Sequence, residues 1–192
     1  MPSFFRCRRG VYRAGRFILI SCLAVLILGA AGPVFPAEQG HCNVTLLKNR
    51  DYAGALLAAL RKSHSSILVS CYLFKITKFP GNMPRRVAEE LIRARQRGVS
   101  VTVILERSRN EKDFLNRENR STADFLAGNG ISVRFDSFRK TSHAKVVVID
   151  DRLVFLGSHN LTHNALSRNN ELSVLIDSPQ MAQEIKSYLG RQ

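Results

Sequence analysis

The segment Ser66–Phe74 (SILVSCYLF) is apolar at odd and even positions alike. As a strand it has no face to turn to water, so it needs cover on both sides. Val99–Leu105 reads as a second strand of this kind. Strands buried on both faces confine the chain to a sheet sandwiched between helices. The covering helices are legible. Asp51–Lys62 gathers Leu56, Leu57 and Leu60 on one face, and Pro84–Arg97 turns Val87, Leu91 and Ala94 inward before stopping at Gly98. Ile131–Phe135, Ala144–Ile149, Leu153–Leu156 and Glu171–Ile176 are expected as further strands, with Asp150-Asp151 turning between two of them. Thr122–Ala127 and Ser178–Leu189 are expected as helices, and the polar stretch Glu106–Arg120 as a surface loop or short exposed helix. The expected fold is a single α/β domain with a mixed, largely parallel β-sheet flanked by helices.

The first residues belong to a different regime. Arg6, Arg8, Arg9, Arg13 and Arg16 precede the apolar run Phe17–Ala31, and small residues and prolines follow it. This is the pattern of a signal peptide over residues 1–37, or of an N-terminal membrane anchor if the run is retained. The phosphodiesterase domain argued below then occupies residues 38–192, placed in the periplasm or secreted, or held outside the cytoplasm on the inner membrane. Setting aside those five arginines leaves 24 basic against 15 acidic residues, a net charge of +9. Such an excess suits an anionic partner, a nucleic acid or a phospholipid surface. Cys42 and Cys71 allow a disulfide in an exported protein, but Cys71 sits inside an apolar run, where a buried free thiol is expected. No Cys/His or carboxylate cluster has metal-ligand spacing, so neither metal nor cofactor is expected.

The chemistry concentrates in Thr141–Asn160 (TSHAKVVVIDDRLVFLGSHN). Period-two geometry puts His143 and Lys145 on one face at the start of a buried strand. Neither side chain neutralises the other, and the pairing makes sense if an anion sits between them. A neutral imidazole can attack phosphorus while a fixed ammonium holds the non-bridging oxygens. Ser158 and Asn160 add short hydrogen-bonding groups for the same oxygens, and Gly157 is expected to let the backbone approach closely. A carboxylate at Glu171 could fix the tautomer of His143. Lys75, Arg107 and Arg109 follow two predicted strands, and Arg139 and Lys140 precede the motif. All five are candidate nucleic-acid contacts.

His143-x-Lys145, then Asp150, then Gly157-Ser158-x-Asn160, resembles at every fixed position the signature of the phospholipase D superfamily, the HKD phosphodiesterases. The likeness runs over about Val44–Leu189. "SSILVSCYLF", "RGVSVTVIL", "NGISVRF" and "NNELSVLI" are similar to segments of the small single-motif bacterial Nuc-type endonucleases and of the mitochondrial surface phospholipase D and its germline nuclease relatives. The resemblance implies the phospholipase D/nuclease fold and a homodimer whose two motifs form one active site across a two-fold axis. It also implies metal-free hydrolysis through a phosphohistidine on His143. The partner copy's histidine would serve as acid and base, Lys145, Ser158 and Asn160 would hold the phosphate, and Glu171 would orient His143. Asp150 belongs to the motif in a role more structural than chemical.

The leading expectation is therefore a non-specific endonuclease acting on DNA or RNA. The alternative is a phospholipase D releasing phosphatidate from phosphatidylcholine-type lipids, for which Phe79-Pro80 and Phe114-Leu115 are the candidate apolar contacts. A catalytically silent nucleic-acid-binding dimer is the reading from another class.

Overall fold

The computed structural model describes residues 43–137 and 140–191. The basic–apolar N-terminal segment, Cys42 and Arg139 lie outside the described residues. Among the described residues no helix is long and apolar enough to cross a membrane.

The described chain forms one seven-stranded sheet in the order β1-β7-β6-β5-β2-β3-β4. The strands are β1 (Asn43–Lys48), β2 (Ser66–Cys71), β3 (Ser100–Leu105), β4 (Ser132–Phe135), β5 (Lys145–Ile149), β6 (Leu153–Gly157) and β7 (Leu172–Asp177). The helices are α1 (Arg50–Lys62), α2 (Met83–Gln96), α3 (Phe114–Ala127), α4 (His163–Ser167) and α5 (Pro179–Leu189). Helix-flanked and mixed, the sheet is of the expected class, but it is less parallel than expected. β2–β3 and β3–β4 pair in parallel, whereas β5 against β2 and every pairing from β5 to β1 are antiparallel. The cause is local. Asp150 and Asp151 both take positive φ (54° and 53°), and the Arg152 N–H closes the turn on Ile149 O at 3.1 Å. A two-residue turn of this hand joins antiparallel strands and leaves no room for a crossover helix.

The main core lies between the sheet and α1–α2, where Leu56, Leu60, Ile67, Leu91, Leu105, Val147 and Phe155 are almost fully buried. α5 covers part of the opposite face through Ala182 and Leu189, packed on Ile104, Val148 and Val154. It leaves Leu46, Leu156 and Leu172 exposed (40%, 40% and 55%). Leu46 and Leu156 both lie opposite Val174, and Leu172 is two residues along, so the three share one face.

These strand directions bring one set of ends to a single edge. The C-terminal ends of β1, β2, β3 and β6 meet the N-terminal ends of β5 and β7 there. His143, Lys145, Ser158, Asn160 and Glu171 all lie at that edge as a result.

α3 departs most from expectation. It is a single 14-residue helix rather than a surface loop or short exposed helix followed by a second short helix. Its buried face carries Asn116, Asn119 and Thr122, at most 1% exposed, so apolar periodicity cannot reveal it. The Asn119 carboxamide donates to Tyr72 O and Glu106 O, both at 2.9 Å, and accepts from Phe74 N at 2.9 Å. Thr122 donates to Phe74 O at 2.5 Å, and Asn116 closes the 108–110 turn by donating to Ser108 O and Asn110 O. Polar side chains thus clamp the loops that leave β2 and β3 at the functional edge, where the backbone must abandon its ladder and find other partners. Asn119→Ala would leave three buried backbone groups unpaired. We expect it to lower stability by about 2–4 kcal/mol in urea unfolding, with an unchanged m-value.

Candidate active site

Lys145 opens β5 opposite Cys71 of β2 and is only 7% exposed, whereas His143, two residues earlier, is exposed. The Lys145 ammonium donates to His143 O at 2.8 Å and faces His143 Nδ1 at 3.2 Å. The expected sharing of one face is therefore met. Burial lowers the Lys145 pKa, an effect opposed by the charges of Cys71 and Glu171. Cys71 is a free, buried thiol, pushed by burial up to about 11. Tyr72, which sequence reasoning passed over, meets the His143 ring edge-on at 4.6 Å between centroids and lies 5.3 Å below the Lys145 ammonium. The sequence reading carries the strand through Phe74 and so hides Tyr72 inside it, whereas β2 ends at Cys71.

On the neighbouring strands Glu171 accepts from Ser158 Oγ and from Asn169 Nδ2 at 3.1 Å. Among the described residues no hydrogen bond joins Glu171 to His143. The ring nitrogen facing Lys145 is Nδ1. Ser158 in turn accepts from Leu172 N at 3.0 Å, and Asn49 holds Glu171 by accepting from its N–H at 2.9 Å. Asn160 Oδ1 is buried and has no hydrogen-bond partner among the described residues.

His159 is 1% exposed. Its ring stacks on Tyr52 (4.3 Å, 8°). Nε2–H donates to Asn49 O at 2.9 Å, which leaves Nδ1 to accept from Ser173 Oγ at 2.7 Å. Burial lowers its pKa, partly offset by the Asn49 carbonyl and Glu171, so it serves as a neutral anchor between Ser158 and Asn160. Gly157 also has a reason other than approach to a ligand. A Cβ there would lie 2.4 Å from Ser173 Cα, so glycine is required by the close passage of β7.

Asp150, a motif residue expected to be more structural than chemical, stands at the opposite end of β5, about 17 Å from Lys145 at the rise of an extended strand. It belongs to the scaffold. Its carboxylate accepts from the His64, Ser65 and Ser66 N–H groups at 2.8–3.2 Å and from the Ser65 hydroxyl at 2.9 Å. Burial alone would raise its pKa, but these hydrogen bonds outweigh it and the pKa is lowered.

The flanking cations divide into two groups. Arg107 and Arg109 line a cleft of about 340 Å³ with Tyr72 and Thr141, and Lys140 lines another of about 570 Å³ with His143. Lys75 lies on the other side, 3.6 Å from Glu118 and 4.7 Å over the Phe114 ring.

A buried ammonium thus meets an exposed imidazole at the edge that also holds the unpartnered Asn160 amide oxygen. Comparisons with known proteins identify the family. Residues 56–192 match the family model described as "Cardiolipin synthase, PLD-like domain". Phospholipase D from Rickettsia typhi is 31% identical over 134 residues, covering 70% of this chain and 57% of that protein. A mitochondrial cardiolipin hydrolase from Chlamydomonas reinhardtii is 28% identical over 75% of this chain and 55% of its own. The chain thus spans little more than half the length of these relatives. Among solved structures, the phospholipase D family member Nuc from Salmonella typhimurium superposes with a TM-score of 0.64 at 25% identity, over 77% of this chain and 91% of that one. NucT from Helicobacter pylori shares the fold, with a TM-score of 0.62 at 22% identity over 79% and 95% of the two chains. The chain belongs to the phospholipase D superfamily.

Asp150→Asn tests the scaffold role. We expect it to lose about 1–3 kcal/mol of stability while leaving the geometry at His143 in place. Because the folded pKa is lowered, the stabilisation is fully present above the unfolded value of about 3.9 and drains away as pH falls below it. The variant's deficit in denaturant melts should therefore shrink toward strongly acid pH.

Proposed function

We propose that this chain is a phosphodiesterase that cleaves nucleic acid without a metal ion, through a phosphohistidine on His143. One observation carries the reading. The buried Lys145 ammonium makes its hydrogen bonds to His143 and to no carboxylate among the described residues. Removing an ammonium from water without a counter-ion is costly, and a phosphodiester anion would restore the balance.

The free geometry also suggests the order of events. With Lys145 donating to Nδ1, the proton of a neutral His143 ring lies on Nε2, which then has no lone pair to offer. An arriving phosphate draws the ammonium to its non-bridging oxygen, the ring proton moves to Nδ1, and Nε2 attacks phosphorus. The bond from phosphorus to the leaving oxygen breaks, and that oxygen needs a proton. His143 of a second copy would supply it and then take a proton from the water that breaks the P–N bond. Asn160, its amide turned to present N–H, and Ser158 would share the phosphate oxygens. The exposed apolar face of Leu46, Leu156 and Leu172 adjoins this edge and supports docking of that second copy.

Nucleic acid is favoured over other diesters by the basic excess and by Arg107, Arg109 and Lys140 in clefts beside His143. A phospholipid substrate is the second reading, favoured by Phe79 and Phe114, which are 60% and 45% exposed on one groove next to the site. The test is to incubate the purified protein in excess EDTA with plasmid DNA, RNA and phosphatidylcholine vesicles in parallel, beside His143→Ala. We expect EDTA-resistant nucleic-acid cleavage from a species eluting as a dimer, and a fall of at least about a thousandfold in the variant. Loss of cleavage in EDTA, or hydrolysis of lipid alone, contradicts the proposal.

A further inference from the structure

We infer that the groove bounded by Phe79 and Phe114 is a base-stacking subsite that gives the chain a preference for single-stranded nucleic acid. The inference rests on the nuclease reading above and specifies its substrate. The groove, of about 480 Å³, opens directly beside the site. Its member Leu73 accepts from Leu161 N at 3.0 Å, Lys75 N donates to Leu161 O at 2.9 Å, and Leu161 follows Asn160 in the chain. A strand whose phosphate lies at Asn160 therefore places its next residues here.

The two rings are its exposed apolar members. Phe79 meets the His163 ring edge-on at 5.9 Å, and Phe114 carries the Lys75 ammonium at 4.7 Å and the Arg117 guanidinium at 5.3 Å. Aromatic faces with cations beside them accept any base and its phosphate together, without reading sequence. The rest of the lining separates a nucleotide from a lipid. Thr77, Thr162 and Asn164 border the same groove, and these groups suit a sugar or a base edge. An acyl chain there would cover hydrogen-bonding groups and offer nothing in return.

Beyond His163 and Arg168 the groove runs into a second one, of about 580 Å³. There Arg50, Arg86 and Arg168 gather beside Arg61, which also holds the buried Glu90 at 2.9 Å. The sequence of chemistries is thus cleavage site, base platform, phosphate track. Paired bases face inward and cannot reach a stacking platform, so the platform selects single strands.

Binding tests this apart from turnover. In full-length protein carrying His143→Asn, anisotropy of a labelled oligodeoxythymidylate is compared with that of a hairpin duplex and with pelleting of phosphatidylglycerol vesicles. Adding Phe79→Ala and Phe114→Ala should weaken oligothymidylate binding about tenfold or more, change duplex binding little and leave the salt slope unaltered, since stacking releases no counterions. Phe79→Trp should restore part of the loss. Unchanged oligothymidylate affinity overturns the subsite, as does a loss confined to vesicle binding, which would identify a lipid-docking surface. If the unsubstituted protein still cleaves DNA when the subsite fails, the nuclease reading stands alone. If oligothymidylate binding depends on both phenylalanines but nothing is cleaved, the subsite stands and hydrolysis falls.

Discussion

The pairing of Cys71 with Lys145 is the constraint on which the site depends. β5 runs antiparallel to β2, so its first residues arrive where β2 and β3 end. A slip of one residue in this register would turn His143 and Lys145 together to the other face of the sheet and part them from Tyr72. Two features guard the register. Val146–Ile149 are buried on both faces, and Asp150 ties the far end of β5 to the backbone N–H groups of residues 64–66. The motif's aspartate thus acts from the opposite end of the strand by fixing where the strand begins.

The functional edge is expensive in polar groups, and the fold answers it group by group. Loops leaving β2 and β3 lose their ladder partners and regain them from Asn116, Asn119 and Thr122 on α3. His159, buried between Ser158 and Asn160, has both ring nitrogens engaged. Against this background of satisfied atoms, the lowered pKa of Lys145 and the unpaired Asn160 oxygen stand out. Exceptions of this kind at one edge mark a functional site more firmly than a cleft does.

Much of this was legible in the residues. The two-sided strands, the leucine faces of α1 and the spacing from His143 to Asn160 were enough for the fold class and for the positions that cluster. What escaped has physical causes. α3 buries asparagines and a threonine, so a reading by apolar period sees a loop. β1, an edge strand with much of its surface in water, and α4, five residues long, carry too weak a pattern to register. Two-sided burial suggests parallel strands, while here β5 is buried on both sides in an antiparallel setting. Gly157 is required by the close passage of Ser173, a contact no local pattern encodes.

Hydrolysis through a phosphohistidine requires covalent chemistry at one nitrogen of His143. Rapid alkaline quenching of the protein during turnover of a single-stranded oligonucleotide, followed by peptide mass spectrometry, should find a nucleotidyl or phosphoryl adduct on His143. The adduct should be lost on acidification and absent from His143→Ala. Undiminished turnover by His143→Ala, or an adduct on any residue other than His143, would contradict it.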